Sequence, residues 1–423
     1  MKKKILLIIP IAIIIVLLAS IILMAMNYHK KISTIHPRKD VNYQQYESDN
    51  KTFMFNMLKQ INEEEKNNYL ISPYSINVAL SMLRDGSKGD TYEQINKLIG
   101  NEKVAVINNE NIKISNAMFT KNKYKSFIEE TYTTNLKDNY SSEFLFDDFK
   151  TPKVINDWVN NKTDGMIPKL LDRIDEDFVL GLANAIAIDV KWQKRFECEL
   201  TTEAEFTKQD GEKIKVEMMH NEYRGIDNYL ESDKAKGIII PYKEDTNLEY
   251  IAILPNDDIN EYIKNFDDKE LAKLESKKAE QNDKPTKIYL SIPRYTYDYD
   301  LQSFKTLLIN NGMSDAFDMD KADFSGIISK ETRTKNNINN LYVEEAIHKT
   351  HIALNEEGTK AAAVTFFGLN EATAFIEPDY NIINIDLNKP FIYMIREKTT
   401  NSILFLGVVN EPNKWNGTTC GKR

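Results

Sequence analysis

The sequence predicts an α+β protein with one large domain, in which helices come first and strands follow. Apolar residues recur with helical spacing at 74–84, 90–99 and 152–162. Strand patterns dominate later, in a hairpin from Phe206 to Met218 and in the apolar run from Ile403 to Val409. Because helices and strands do not alternate regularly, a parallel βαβ architecture is disfavoured and the α+β class is favoured.

The N-terminal residues 1–26 are predicted to form a signal anchor that spans the membrane. Lys2, Lys3 and Lys4 precede an uncharged run of 22 residues that ends at Met26. At about 1.5 Å per residue, this run can cross a bilayer core of roughly 30 Å. The alternative is a cleaved signal peptide, whose apolar part is usually about 7–15 residues long. We therefore expect the body on the extracellular side of the membrane, or secreted if the segment is cleaved.

The rest of the chain divides into three parts. Residues 27–41 form a basic linker, residues 42–412 form the domain, and residues 413–423 form a C-terminal tail. No Pro/Gly-rich linker or repeat interrupts the domain, so it is predicted to be one unit. Its first helix, from about Tyr43, has one apolar face, made by Phe53, Phe55, Met57, Leu58 and Ile61.

The later strands are each marked by a local signal. Asp210-Gly211 is a strong turn pair and predicts the hairpin between Phe206 and Met218. The apolar run from Leu248 to Leu254 stops at Pro255, as expected for a buried strand. Apolar residues alternate with Tyr289 and Ser291 at the period of a strand.

Charge and composition exclude several classes of function. Residues 1–39 contain seven basic and no acidic side chains, so the total of −9 leaves −16 for residues 40–423. A body this acidic argues against nucleic-acid binding. The 2 cysteines cannot build a disulfide-rich fold or a cysteine-based zinc site. No nucleophile elbow, phosphate loop or H-E-x-x-H motif is present. We predict no catalytic residue, no cofactor and no enzyme activity.

The pair His348 and His351 is the nearest approach to a metal site. An i, i+3 pair can bind a metal on a helix, but Leu341 to Leu354 reads as a strand. In a strand the two rings point to opposite faces, so no metal site is predicted.

One stretch stands out on physical grounds. It opens at Glu356, holds three consecutive alanines, and has almost no charge after Lys360 and no proline until Pro378. Loops longer than about 12–15 residues are usually functional or disordered, and disordered segments favour Pro, Ser and charge. This stretch has small side chains and a full set of backbone donors, so it is able to become a strand. The alternative is an Ala-rich surface loop.

At these residues the chain resembles a serpin, and further matches follow in family order over about residues 43–412. The matching stretches are Asn68-Tyr-Leu-Ile-Ser-Pro-Tyr-Ser75, Lys88-Gly-Asp-Thr91, Asn116-Ala-Met-Phe119, Ile155-Asn-Asp-Trp-Val159, Asn184-Ala-Ile186, Ala322-Asp-Phe-Ser-Gly326, Lys389-Pro-Phe391 and Phe405-Leu-Gly407. The resemblance implies three β-sheets, eight or nine helices and an exposed reactive-centre loop. Abundant Lys, Asn and Ile are typical of an AT-rich genome and, with the signal anchor, favour a bacterial source.

The resemblance also implies an activity, the irreversible suicide inhibition of a serine protease, with a cysteine protease as the other option. The protease attacks the loop as a substrate and forms an acyl-enzyme. The cleaved loop then inserts as a new strand of the main sheet and distorts the protease. The alternative is a non-inhibitory serpin-fold binding protein at the cell surface, against which the alanines near the start of the loop argue.

Functional residues follow from the family pattern in three groups. The hinge, where the loop leaves the sheet, is formed by Glu356, Glu357, Gly358, Thr359, Ala361, Ala362 and Ala363. The shutter, a polar cluster beneath the centre of the main sheet, is formed by Ser72, Ser75, Asn184 and His348. The breach, where insertion begins, contains Trp192 and Arg294, and Arg294 is expected to pair with Glu356.

The loop's alternation agrees with insertion. Thr359, Ala361, Ala363 and Thr365 share one parity and are small enough to face the sheet interior, whereas Lys360 has the other parity. The family's usual spacing from Glu356 places the reactive bond between Ala372 and Thr373. A small residue there favours an elastase-like or subtilisin-like protease. Because the loop is long, Leu369, Glu371 and Phe375 remain alternatives, and Phe375 would favour a chymotrypsin-like target.

Two departures from the family pattern affect the partners and the breach. Only 24 residues separate Thr91 from Asn116, so the helix that some animal members use for glycosaminoglycans is missing. With an acidic body as well, no heparin binding is expected, and the protein is expected to be a monomer. Asp189-Val190 replaces the family's Lys-Gly, and since Val does not adopt glycine-only geometry cheaply, the local turn is expected to differ.

Overall fold

The computed structural model describes residues 43–100, 107, 112–176, 178–276, 285–359 and 379–413. The predictions for the signal anchor 1–26, the linker 27–41, the hinge alanines 361–363, the reactive bond Ala372-Thr373 and the tail beyond residue 413 lie outside these residues. Within the described ranges, no helix combines the length and apolar character needed to cross a bilayer.

Nine α-helices lie in the described part of the chain, and the predicted helical segments are among them. They are α1 (Tyr43–Glu64), α2 (Pro73–Asp85), α3 (Gly89–Ile99), α4 (Glu130–Tyr140), α5 (Lys153–Lys162), α6 (Ile259–Lys264), α7 (Asp268–Ser276), α8 (Phe304–Asn310) and α9 (Lys330–Lys335). All five residues of the apolar face predicted for α1 are buried. The Ser72 side chain caps α2 by accepting a hydrogen bond from the backbone N–H of Ser75, and Pro73 starts the helix.

Seventeen strands lie in the same described ranges. They are β1 (Tyr69–Ile71), β2 (Ile112–Lys121), β3 (Glu143–Asp147), β4 (Leu180–Ile188), β5 (Val190–Lys191), β6 (Thr202–Thr207), β7 (Lys213–Arg224), β8 (Tyr229–Glu231), β9 (Ala235–Pro241), β10 (Leu248–Pro255), β11 (Thr286–Pro293), β12 (Tyr295–Asp300), β13 (Lys349–Leu354), β14 (Gly358–Thr359), β15 (Asn381–Asp386), β16 (Phe391–Glu397) and β17 (Ser402–Val409). The predicted hairpin is β6 and β7, joined at Gly211, whose φ of 87° requires the left-handed region.

The centre of the molecule is a six-stranded sheet in the order β1-β17-β16-β10-β9-β8. Every residue of β10, β16 and β17 is buried, which explains their continuous apolar runs. A four-stranded sheet, β15-β11-β7-β6, holds the strand that follows the loop. Helix α2 contacts β17 of this central sheet and also β4, which belongs to a different sheet.

The main sheet is divided into two halves, so the three expected sheets occur as four hydrogen-bonded groups. One half is β3-β2-β4 and the other is β12-β13-β14-β5. Among the described strands, β4 pairs with β2, and β13 pairs with β12 and, at Leu354, with β14. The chain passes from one half to the other at Asp189, between β4 and β5. The strand is interrupted at Asp189, and Val190 lies in β5 without positive φ. Whether the turn differs from that of other family members stays a prediction.

The strand predicted from Leu341 to Leu354 is shorter in the structure, and that prediction was wrong for its first half. Residues 341–348 form no strand, and β13 begins at Lys349. His348 is thus outside the strand and buried, whereas His351 lies within β13 and contacts Asp298 across the sheet. Among the apolar residues before Lys349, Leu341 is buried, Val343 and Ala346 are partly buried against the core, and Tyr342 is exposed. No described strand pairs with residues 341–348.

Candidate functional site: the hinge and the divided main sheet

A tight turn carries the chain from β13 into β14 at the hinge. The side-chain oxygen of Asn355 accepts hydrogen bonds from the backbone N–H groups of Glu357 (3.0 Å) and Gly358 (3.2 Å). The backbone N–H of Asn355 donates to the carbonyl oxygen of Gly358 at 3.0 Å. An Asn side chain that satisfies the next two amides is a common way to close a turn. The loop therefore starts from a fixed position at the end of β13.

The first two residues after the turn are already strand residues of the main sheet. Gly358 pairs with Lys191, and Thr359 lies between Val190 on one side and Leu354 on the other. A Cβ atom at Gly358 would lie 2.0 Å from the carbonyl oxygen of Val190, so this close approach requires glycine. The Thr359 side chain faces inward and is 4% exposed, as its parity predicts.

A buried ion pair holds the base of the hinge. Arg294 donates to the Glu356 carboxylate at 3.2 Å, and both side chains are almost fully buried. The Arg294 Nε also donates to Glu217 at 2.8 Å, and the Thr201 hydroxyl donates to Glu356 at 2.8 Å. The pair expected from the sequence is present, and both charges have additional partners, which buried charges need.

The predicted breach residue Trp192 holds the hinge by two hydrogen bonds. Its indole N–H donates to the carbonyl oxygen of Asn355 at 2.8 Å, and its backbone N–H donates to that of Glu357 at 2.9 Å. The indole stacks on the Tyr242 ring with 4.5 Å between centroids and 7° between planes. The Tyr242 hydroxyl and the Thr359 hydroxyl share a hydrogen bond of 2.6 Å.

A largely apolar cavity is lined by residues of both halves of the main sheet and by Thr359 of the hinge. Residues of β4 and β13, together with Ile395 of β16 and Phe405 of β17 in the central sheet, contribute to this lining. Its lining includes Ile186, Ile188, Ile352, Ala353, Ile395 and Phe405. A strand that continued from β14 would place alternate side chains against this lining, where small apolar groups fit best.

The shutter residues form a connected cluster between the two halves of the main sheet. Ser72 and Ser75, at the N-terminus of α2, each contact a different half. The backbone N–H of Ser72 donates to Nε2 of His348 at 3.0 Å, next to β13. The Ser75 hydroxyl donates to the side-chain oxygen of Asn184 in β4. Asn184 in turn donates to Asn116 of β2 at 2.7 Å. Asn184 thus lies in one half and His348 directly precedes β13 of the other half, and the two contact different residues at the N-terminus of α2.

His348 is held as a neutral imidazole. Burial lowers the pKa of His348 from about 6.5 to about 4. Its Nε2 accepts a hydrogen bond, so that nitrogen carries no proton in this geometry. Such a histidine suits a hydrogen-bonded structural cluster better than proton transfer at neutral pH. In the described ranges, no group of three or more metal-ligating side chains is placed to hold a metal ion.

Sequence reasoning missed several residues of the site. They are Tyr242 and Asn355 at the hinge, Thr201 and Glu217 at the ion pair, and Asn116 at the shutter. The turn made by Asn355 could have been found, since Asn before Glu-Glu-Gly is a turn signal. The others are joined to their partners across long stretches of sequence, which local patterns do not reveal.

We predict that the two hinge glutamates differ strongly in their effect on stability. Glu356→Gln should lower the free energy of unfolding by about 2 kcal/mol, because it removes the negative charge that strengthens the hydrogen bond from buried Arg294. Glu357→Gln is the matched control. The partner of Glu357 is Arg195, which lies 3.6 Å away and whose side chain is 44% exposed, so this variant should lose less than about 1 kcal/mol of stability. Urea unfolding of both variants tests this, and equal losses would contradict the assignment of the buried pair to Glu356.

Taken together, these features define a class of protein whose main sheet is divided and whose hinge begins as a short strand in that sheet. The family model described as Serpin (serine protease inhibitor) matches residues 48–412. The chain belongs to the serpin family.

Individual relatives agree with this assignment. An uncharacterized serpin-like protein of Methanosarcina acetivorans is 32% identical over 415 residues, covering 92% of each chain. The leukocyte elastase inhibitor of Xenopus laevis is 31% identical over 385 residues, covering 85% of this chain and 97% of its own. The crystal structure of the thermophilic serpin tengpin in the native state superimposes with a TM-score of 0.73 at 31% identity, covering 89% of this chain and 96% of its own.

The family and these relatives support protease inhibition as the general class of function. Serpins generally inhibit proteases and are not enzymes, and their partners are generally proteases. The α+β serpin fold predicted from the sequence is confirmed.

Proposed function

We propose that this protein is an irreversible suicide-substrate inhibitor of a serine protease. The single observation that carries the proposal is the hinge: Gly358 and Thr359 already pair in the main sheet, at the head of the apolar cavity between β4 and β13. A loop that begins inside the sheet needs no new entry point when it inserts.

The proposed reaction starts as ordinary proteolysis. The protease serine attacks the carbonyl carbon of Ala372, its oxygen forms an ester with that carbon, and the bond to the Thr373 nitrogen breaks with a proton going to the new amine. Residues 360–372 are then free at one end and extend the strand begun by β14. New backbone hydrogen bonds form to β4 and β13, and the attached protease is carried along before water can cleave the ester.

The target class rests on the residue before the reactive bond. Ala372 suits the small binding pocket of an elastase-like or subtilisin-like protease, and Phe375 would instead suit a chymotrypsin-like one. Relatives named as leukocyte elastase inhibitors, at about 30% identity, favour the first choice.

The experiment mixes a soluble version, residues 40–423, with pancreatic elastase, subtilisin or chymotrypsin and separates the products on a denaturing gel. We expect a band at the summed mass with at least one protease, and a released peptide that begins at Thr373. The same protease with its serine chemically blocked is the control and should give no band. Loop cleavage by all three proteases without a stable complex would contradict the proposal and favour the non-inhibitory binding protein.

We also propose that residues 1–26 hold the body on the extracellular side of the membrane. The support is the sequence of that segment alone. Protease added to intact cells that make the full chain should remove the body and leave the anchor with the membrane fraction. A body that stays protected would contradict this location, and a body found only in the medium would show that the segment is cleaved.

A further inference from the structure

A buried tyrosine contacts Thr359, which carries the first hinge side chain that lies in the main sheet. Tyr242 follows β9, is 1% exposed, and stacks face to face on Trp192. Its hydroxyl reaches Thr359 at 2.6 Å. The backbones of Tyr242 and Trp192 also form an isolated bridge, so the ring is fixed at both ends.

The contact joins the hinge to a residue next to the central sheet. Tyr242 is next to β9 of the buried central sheet, whereas Thr359 belongs to the main sheet. Within the described ranges, the cross-strand partners of the two-residue strand β14 are Lys191 for Gly358, and Val190 and Leu354 for Thr359. The Tyr242 hydroxyl adds a side-chain contact to Thr359. Burial raises the pKa of Tyr242, so the phenol stays protonated and keeps its hydrogen bond at all physiological pH values.

We infer that Tyr242 is a positioning residue that holds Thr359, the second residue of β14, in the main sheet, and that it thereby sets the share of protease attacks that end in trapping. The inference rests on the proposed function, because trapping is its outcome.

Tyr242 affects trapping because insertion of the loop competes kinetically with hydrolysis of the ester. The start of a strand is unfavourable in free energy, because residues lose conformational entropy before their hydrogen bonds form. When Thr359 is held in register, the first residues of the new strand are already ordered, and insertion only extends this strand. Without the Tyr242 hydroxyl, the hinge leaves the sheet more often, insertion starts later, and hydrolysis releases more active protease.

The test uses the full chain in mild detergent with a protease that the wild type traps. Tyr242→Phe should raise the ratio of cleaved inhibitor to trapped protease about five-fold, the effect of one neutral hydrogen bond on the population of the inserted hinge. Thr359→Val removes the other hydroxyl and should give the same increase. The double variant should be no worse than either single variant, since both remove one shared interaction.

Tyr250→Phe is the matched control. Tyr250 is fully buried in the same aromatic cluster, 5.7 Å from Trp192 between ring centroids, and its hydroxyl shares a 2.8 Å hydrogen bond with Tyr295. It makes the same kind of bond without touching the hinge. This variant should lose thermal stability and keep the wild-type ratio. An unchanged ratio in Tyr242→Phe, or an equal increase in Tyr250→Phe, would overturn the inference.

A second measurement does not depend on any protease. Hydrogen exchange at the backbone amides of Gly358 and Thr359 should be about five-fold faster in Tyr242→Phe than in the wild type, and unchanged in Tyr250→Phe. Equal exchange in all three proteins would overturn the inference even if no protease were trapped. Failure of the wild type to trap a protease, with the exchange difference intact, would instead count against the proposed function.

Discussion

Replacing Thr359 by arginine is expected to convert the protein from an inhibitor into a substrate. The Thr359 side chain is 4% exposed and faces the interior of the sheet, against the Tyr242 hydroxyl. An arginine there would bury a charge without a partner, which costs several kcal/mol, so the hinge would be expelled. Ala361 has the same parity, and Ala361→Arg should act in the same way. The protease would still cut the loop, but hydrolysis of the ester would be faster than insertion.

The measurement is the share of protease trapped per loop cleaved, read on a denaturing gel. The arginine variants should show complete cleavage and a loss of trapping of at least about 100-fold, the effect expected from roughly 3 kcal/mol on the inserted state. The matched control is Lys360→Arg, which places the same side chain at the opposite parity and should trap normally. Normal trapping by Thr359→Arg would refute the loop-insertion mechanism.

The second large effect is a loss of stability in acid through His348. The folded pKa of His348 is about 4, well below the ordinary value of about 6.5, because burial disfavours the charged ring. The unfolded chain therefore binds this proton first as the pH falls. Stability contributed by the neutral ring is present above about pH 6.5 and is lost progressively toward pH 4, by about 3 kcal/mol in total.

The measurement is the free energy of unfolding in urea at pH 7 and pH 4, for the wild type and for His348→Gln. Gln can still accept a hydrogen bond from Ser72 but does not titrate in this range, so its loss should be about 3 kcal/mol smaller than in the wild type. His351→Gln is the control, because that ring is partly exposed in β13. Equal losses in the wild type and His348→Gln would show that another group causes the acid sensitivity.

Much of the fold could be predicted because its elements have strong local patterns. The helix beginning near Tyr43, the turn at Asp210-Gly211 and the run ending at Pro255 each occur where the sequence placed them. The false strand before Lys349 shows the limit of this approach. A strand needs a partner as well as a pattern, and no described strand pairs with residues 341–348.

The divided main sheet could not be predicted from local patterns. It depends on which strands pair, and pairing in a sheet is a long-range property. The strand breaks at Asp189, and local patterns gave no sign that β4 and β5 belong to different halves.

The site likewise contains residues that short motifs predict and residues that only the folded structure reveals. Hinge and shutter residues were named because short motifs identify them, and their chemistry followed from size, charge and parity. Tyr242 was missed because its partner Thr359 is 117 positions away in the sequence. Glu217 and Thr201 were missed for the same reason, since only the folded structure brings them to Arg294 and Glu356.

The central claim is that the loop inserts between β4 and β13 once it is cut, and thermal unfolding tests it most directly. The loop would be cleaved within residues 360–378, the protease inactivated, and the unfolding midpoint compared with that of the intact protein. A new strand of about 15 residues, at about 1 kcal/mol for each added hydrogen bond, predicts a rise of roughly 20 °C in a domain of this size. A midpoint that stays the same or falls after cleavage would contradict the account.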